Sequence, residues 1–219
     1  MSQGKLTSAQ ADALRALAGM SPPWRLAGGA ALAGFHTKHR GTRDLDLFWP
    51  DAQLVVPDAE IRQRLGSAGF SVQVLQRDPA FRRLRATRGT DVIVIDLVAD
   101  PVPTVVSPSA EVLGGATILV DSPHEILVSK LTALLSRSEL RDLEDVRALL
   151  ASGGDLERAL RDAPRKEAGF SPITLAWVLE QLPVAALGRA LARAEPDVGA
   201  LEVFREALVR QILAASKPA

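Results

Sequence analysis

The run Asp91-Val-Ile-Val-Ile-Asp-Leu-Val98 is of strand length, rich in β-branched residues and apolar along nearly all of it. Such a segment hides its side chains only in the middle of a sheet covered on both faces, so it predicts a central strand and a chain built around that sheet. It also carries Asp96 within the run. Burial of an unpaired carboxylate costs several kcal/mol or forces its protonation, so Asp96 calls for a structural or chemical reason.

The rest of the first half supplies neighbours for that strand. Asp44-Leu-Asp-Leu-Phe-Trp49 alternates with period two, which places Asp44, Asp46 and Phe48 on one face and Leu45, Leu47 and Trp49 on the other. Further strands are expected at 24–27, 70–76, 81–87 and 117–120. Thr7 and Gln10 have capping-box spacing ahead of a helix over 8–18, and helices are also expected from Ala30 to about His36 and from Pro57-Asp58 to Ser67. A loop with Pro101, Pro103 and Pro108 leads to the final strand.

From Ser122-Pro123-His124-Glu125 onward the pattern is helical, with helices expected at 123–136, 139–151, 155–163, 172–181, 184–194 and 198–215. The expected fold is α+β: a mixed β-sheet with flanking helices over residues 1–121, then a C-terminal helical bundle over 122–219.

Composition narrows the chemistry. The 219 residues contain no cysteine, which excludes disulfides, thiolate catalysis and cysteine-based zinc sites, and the three histidines do not form a spaced metal motif. The N-terminus lacks an apolar leader and no stretch approaches about 18 apolar residues, so a cytoplasmic protein with no membrane partner is expected. The 26 basic and 26 acidic residues cancel overall but not locally. Segment 36–43 holds Lys38, Arg40 and Arg43 with no acid, and segment 77–88 holds five arginines against Asp78. These clusters suit phosphate, or serve as solvated hairpin and loop charges. Aromatic content of 4% with no tyrosine gives little support to a base-stacking platform. Trp24, Trp49 and Trp177 are expected in the core, and His36 and His39 to contact phosphate or cap a helix.

Two carboxylates on one strand face repel each other unless solvent or a hard cation balances them. Asp44 and Asp46 thus line a solvated edge or, with Asp96 on a neighbouring strand, hold a divalent ion against phosphate oxygens. Gly28-Gly29 between a strand and a helix is either a geometric turn or a place where backbone amides approach a phosphate.

Taken together, Gly28-Gly29, Asp44-Leu-Asp46 and Asp96 resemble the DNA polymerase β-like nucleotidyltransferase superfamily. The fuller string Gly-Gly-Ala-Ala-Leu-Ala (28–33), His39-Arg40, Thr42 and Asp44-Leu-Asp-Leu-Phe48 resembles the AbiEii/MenT-type toxin nucleotidyltransferases within it. Lys130-Leu-Thr-Ala-Leu-Leu-Ser-Arg137 and Arg141-Asp-Leu-Glu-Asp145 are similar to a second signature of that family. The resemblance spans about residues 24–150.

It implies an enzyme that transfers a nucleoside monophosphate from an NTP to an acceptor hydroxyl, with the tRNA 3′ end as one acceptor, Mg²⁺ or Mn²⁺ as cofactor and an antitoxin protein as partner. Asp44, Asp46 and Asp96 would bind metal, with Asp96 alternatively activating the attacking hydroxyl. Gly28, Gly29, Arg40 and Thr42 would hold the triphosphate, and Lys130 and Asp142 would complete the active site. Thr42 stands where the family pattern leads one to expect serine; the hydroxyl remains. Two alternatives stay open: transfer to a small molecule or a protein, and a catalytically idle nucleotide- or RNA-binding homologue. For Lys130, Arg137, Asp142 and Asp145 a plainer reading also stands, an amphipathic helix pair with leucines in the core and charges in water.

Overall fold

The computed structural model describes residues 5–54 and 58–216; Pro57, expected before the third helix, lies outside them. The chain divides into two compact units, residues 1–122 and 123–219.

The first unit contains α1 (Ser8–Leu17), β1 (Arg25–Ala27), α2 (Gly28–Phe35), β2 (Asp44–Trp49), α3 (Asp58–Ser67), β3 (Ser71–Arg77), β4 (Phe81–Arg88), β5 (Asp91–Ala99), β6 (Ser109–Leu113) and β7 (Ala116–Val120). The strands form one seven-stranded mixed sheet in the order β3-β4-β5-β2-β1-β7-β6. Strand β5 is an interior strand, parallel to β2 on one side and antiparallel to β4 on the other. Its Ile93, Ile95 and Leu97 face is buried, while Val92 on the other face is 59% exposed, so the apolar run is covered fully on one face alone. The expected capping box is present: Thr7 accepts from the Gln10 amide, and Gln10 accepts from that of Thr7.

Period-two alternation sorts the sheet into two faces. Leu45, Leu47 and Trp49 join Leu84, Ala86, Ile93, Ile95 and Leu97 on the buried face. Each such side chain contributes about 1.5–3 kcal/mol through burial. Helix α1 packs against β5 and β7, and α3 against α1 and β3. Arg88 ties this layer together by donating to Asp12 at 2.7 Å while its guanidinium lies 4.5 Å from the Phe70 ring. The opposite face carries Asp44, Asp46, Asp96 and Arg83.

The second unit contains α4 (Pro123–Ser136), α5 (Leu140–Ala151), α6 (Leu156–Asp162), a short 3-10 turn (Ala163–Arg165), α7 (Pro172–Gln181), α8 (Val184–Ala190) and α9 (Glu195–Ala215). Helix α4 packs on α5, α6 and α7, and α9 on α7 and α8.

The structure corrects three details. Residues 109–113 form a strand, β6, paired with β7 through a turn at Gly114-Gly115, both in left-handed backbone; the prolines before it mask it in the sequence. Helix α8 ends at Ala190, and α9 starts at Glu195 with Pro196 in its first turn, where a missing amide hydrogen costs nothing. Trp177 is 61% exposed on α7, unlike Trp24 and Trp49, which are buried.

Candidate active site

Four residues from adjacent strands share one row across this second face. Ala27 on β1 pairs with Asp46 on β2, Asp46 with Asp96 on β5, and Asp96 with Arg83 on β4. Register partners on neighbouring strands project to the same side, so Asp46, Asp96 and Arg83 stand side by side, with Asp44 two residues along the same face of β2.

The glycine turn closes one end of the row. Gly28 follows Ala27 with φ +58°, and a β-carbon there would collide with the Asp46 carboxylate. The residue must be glycine for both reasons: a left-handed backbone, and a main chain pressed against Asp46. A β-carbon on Gly29 would lie 3.2 Å from Thr42 Oγ1 and 3.3 Å from an Arg40 guanidinium nitrogen. Gly28, Gly29, Arg40 and Thr42 therefore do come together at the start of α2, beside Asp46. The loop that brings Arg40 and Thr42 there is pinned by buried Gln10, whose amide donates to the Thr42 carbonyl at 2.9 Å. Lys5 donates to the His39 carbonyl at 2.8 Å. His36 meets the Asp121 carbonyl at 2.7 Å and His39 the Thr37 hydroxyl at 2.7 Å, contacts that serve the loop itself.

At the other end, Arg83 grips Asp96. Its Nε donates to Oδ1 at 2.8 Å and a terminal nitrogen to Oδ2 at 2.7 Å. Asp96 is 6% exposed, and this fork is how its burial inside an apolar strand is tolerated. The Asp96 hydrogen bond and the charges of Asp96, Asp44 and Asp46 raise the Arg83 pKa above its already high value despite its partial desolvation.

This bears on metal binding. Among the described residues no group of three or more His, Cys, Asp or Glu side chains is arranged to hold an ion. Asp96, expected as a third ligand, has both oxygens engaged by Arg83. A pair of hard carboxylates still suits Mg²⁺, which keeps several waters and takes one or two carboxylates together with substrate phosphates. Asp44 and Asp46 are that pair.

In the helical unit, Lys130 on α4 donates to Asp142 on α5 at 2.7 Å and reaches Asp145 at 2.8 Å. Arg137 adds a fork to Asp142 at 2.8 and 2.9 Å. Leu127, Leu131, Leu134, Leu140, Leu143 and Val146 are core residues as expected, but Asp142 and Asp145 are buried among them rather than in water. Burial alone would raise the Asp142 pKa; the Arg137 hydrogen bonds and the Lys130 charge outweigh it and hold the carboxyl below its ordinary value.

The family model for the AbiEii nucleotidyl transferase toxin, of type IV toxin–antitoxin systems, matches residues 12–214. The chain belongs to the AbiEii family. It is a nucleotidyltransferase with the expected α+β fold, a mixed sheet with flanking helices and a helical C-terminal part. Among solved structures, this AbiEii chain is similar to a proposed nucleotidyltransferase from H. pylori, with 17% identity, 96% of each chain covered and a TM-score of 0.58. It is also similar to JHP933 from Helicobacter pylori, with 18% identity, 95% of this chain and 92% of that one covered, and a TM-score of 0.56. Both likenesses concern the fold. Comparison with curated proteins returns no match. No helix among the described residues is long and apolar enough to cross a membrane.

Sequence reading of the AbiEii chain located the basic segment 77–88 but not Arg83 as the partner of Asp96. The signal was present. Gly89-Thr90 closes a tight hairpin that pairs Arg88 with Asp91, and counting back from that pair sets Arg83 opposite Asp96.

Proposed function

We propose that this AbiEii protein is a Mg²⁺-dependent enzyme that transfers a nucleoside monophosphate from an NTP to an RNA 3′ hydroxyl, with tRNA as the acceptor class, as the toxin of a toxin–antitoxin pair. The observation that carries the reading is the position of the glycine turn, Arg40 and Thr42 against Asp46. A phosphate seat directly beside a paired carboxylate site is what a triphosphate and its cation need.

Gly28 and Gly29 bring main-chain amides at the start of α2 toward the β- and γ-phosphates, and Arg40 and the Thr42 hydroxyl flank them. Asp44 and Asp46 would hold the metal. When bound, Mg²⁺ would supply charge neutralisation at the α-phosphate and the leaving group. The hydroxyl oxygen then bonds to the α-phosphorus, the bond from that phosphorus to the bridging oxygen of the β-phosphate breaks, pyrophosphate leaves, and the hydroxyl proton passes to water. Lys130 and Asp142 match further active-site positions of the family pattern, and Asp145 and Arg137 keep their charges balanced within the helical unit. Type IV family membership supports an antitoxin protein as partner.

The test is incubation with each labelled NTP, Mg²⁺ and total tRNA. Label should enter RNA with the wild-type chain and fall about 100-fold or more with Asp46→Ala, since several kcal/mol of charge stabilisation is removed. Transfer that survives Asp46→Ala excludes this site. Transfer to a small molecule or protein but not to RNA replaces the acceptor assignment.

A further inference from the structure

We infer that Arg83, locked in place by Asp96, is the residue that positions the acceptor strand. The inference rests on the nucleotidyltransferase reading of Asp44 and Asp46 and assigns the flank of the site that the reading leaves undescribed.

Strand order separates the two flanks of the site. The phosphate seat of Gly28, Gly29, Arg40 and Thr42 lies on the β1 side of Asp46. Continuing the same row away from that seat, one meets Asp96 on β5 and then Arg83 on β4, about 10 Å from Asp46 at two strand spacings. In-line displacement sets the attacking hydroxyl and the leaving pyrophosphate on opposite sides of the α-phosphorus. A triphosphate seated on the glycine side therefore puts the acceptor on the Arg83 side.

The chemistry of that side fits an anionic chain. Each oxygen of buried Asp96 accepts a hydrogen bond from Arg83, one from Nε and one from a terminal nitrogen, while the arginine side chain remains 44% exposed. A bidentate grip fixes the plane of the guanidinium and leaves its other edge directed away from Asp96, which is how an arginine is readied for a phosphodiester oxygen. Two residues along the same face of β4, Arg85 is exposed and has Val94 and Gln73 as cross-strand partners, with no carboxylate opposite it. Arg83 and Arg85 thus make a cationic track leading to the carboxylate pair. A polycationic small acceptor would be repelled by this track; a nucleic-acid backbone is attracted to it.

Three binding measurements separate the possible roles: a labelled short single-stranded RNA with a free 3′ hydroxyl, read by anisotropy; a non-hydrolysable NTP; and Mn²⁺, read by electron paramagnetic resonance. Arg83→Met and Asp96→Asn should each weaken RNA binding about tenfold or more. In Arg83→Met the slope of log affinity against log salt should fall by about 0.7, the share of one single-strand phosphate contact. In the same Arg83→Met variant, nucleotide and Mn²⁺ affinity should stay within about twofold, because it leaves every group assigned to them in place. Arg83→Lys should bind RNA with intermediate strength, since lysine keeps the charge but not the fork. The double variant R83M/D96N removes both charges together and serves as the folded control should Arg83→Met alone lower the melting temperature. Unchanged RNA affinity in Arg83→Met, or weaker NTP binding with RNA binding intact, would overturn the inference. Persistence of transfer in Asp46→Ala would instead bring down the underlying assignment of the site.

Discussion

Lys130 donates to Asp142 at 2.7 Å inside the helical unit, and the same ammonium lies 2.8 Å from Asp145. Both carboxylates are fully buried, so one lysine offsets two acids that water does not reach, with Arg137 sharing the load at Asp142. Replacement of Lys130 by methionine leaves buried negative charge uncompensated and should destabilise the helical unit by about 3–5 kcal/mol. Chemical denaturation of wild type and Lys130→Met checks this.

The same cluster gives a pH dependence of definite sign. The Asp142 pKa is lowered in the folded protein: burial opposes the shift, and the hydrogen bonds from Arg137 with the charge of Lys130 prevail. Its stabilising contribution is present above the unfolded aspartate pKa of about 3.9 and disappears as pH falls through the lower folded value. Thermal melts over acidic pH should show this loss in the wild type. In Arg137→Met, whose Asp142 lacks the fork, the acid transition should begin at higher pH.

Gly28 and Gly29 should respond differently to alanine. Gly28→Ala forces a β-carbon into left-handed backbone, about 1–2 kcal/mol, and into the Asp46 carboxylate, so both the melting temperature and nucleotidyl transfer should drop. At Gly29 the obstacles are Thr42 Oγ1 and an Arg40 nitrogen at 3.2 and 3.3 Å. Gly29→Ala should therefore keep the melting temperature close to wild type while weakening nucleotide affinity. Paired melting and nucleotide titrations distinguish the two effects.

Arg25 is buried on the same sheet face, on β1 two residues before Ala27. It donates to Asp121 at 2.6 Å and Asp100 at 2.5 Å and lies 4.8 Å from the Phe48 ring. Arg25→Met strips a buried guanidinium from two acids and should cost about 3–5 kcal/mol. Arg85→Met, on the exposed β4 face, should change stability by no more than about 0.5 kcal/mol. Urea midpoints for the two variants test the contrast.

Much of the frame was legible along the chain. The alternation at Asp44–Trp49 placed two carboxylates on one face, and the apolar run at Asp91–Val98 predicted the central strand, because strand periodicity is a local property. Strand β6 was not legible, since its residues gain strand character by pairing with β7 rather than from their own pattern. Trp177 was expected in the core, yet it projects from an outward face of α7; aromatic identity does not say which side of a short helix meets a neighbour.

The sequence alone determined the glycine turn, the shared face of Asp44 and Asp46 and the switch from mixed sheet to helices, which follow from chirality, periodicity and capping within a few residues, and it carried the motifs by which the chain resembles its family. Tertiary structure decided what those groups touch. It set Arg83 on Asp96, buried Lys130 with Asp142 and Asp145, and brought Arg40 and Thr42 to Gly29 through the anchor on Gln10. These pairings depend on register and strand order between distant segments, and the energy of a buried charge is settled only when its neighbours are in place.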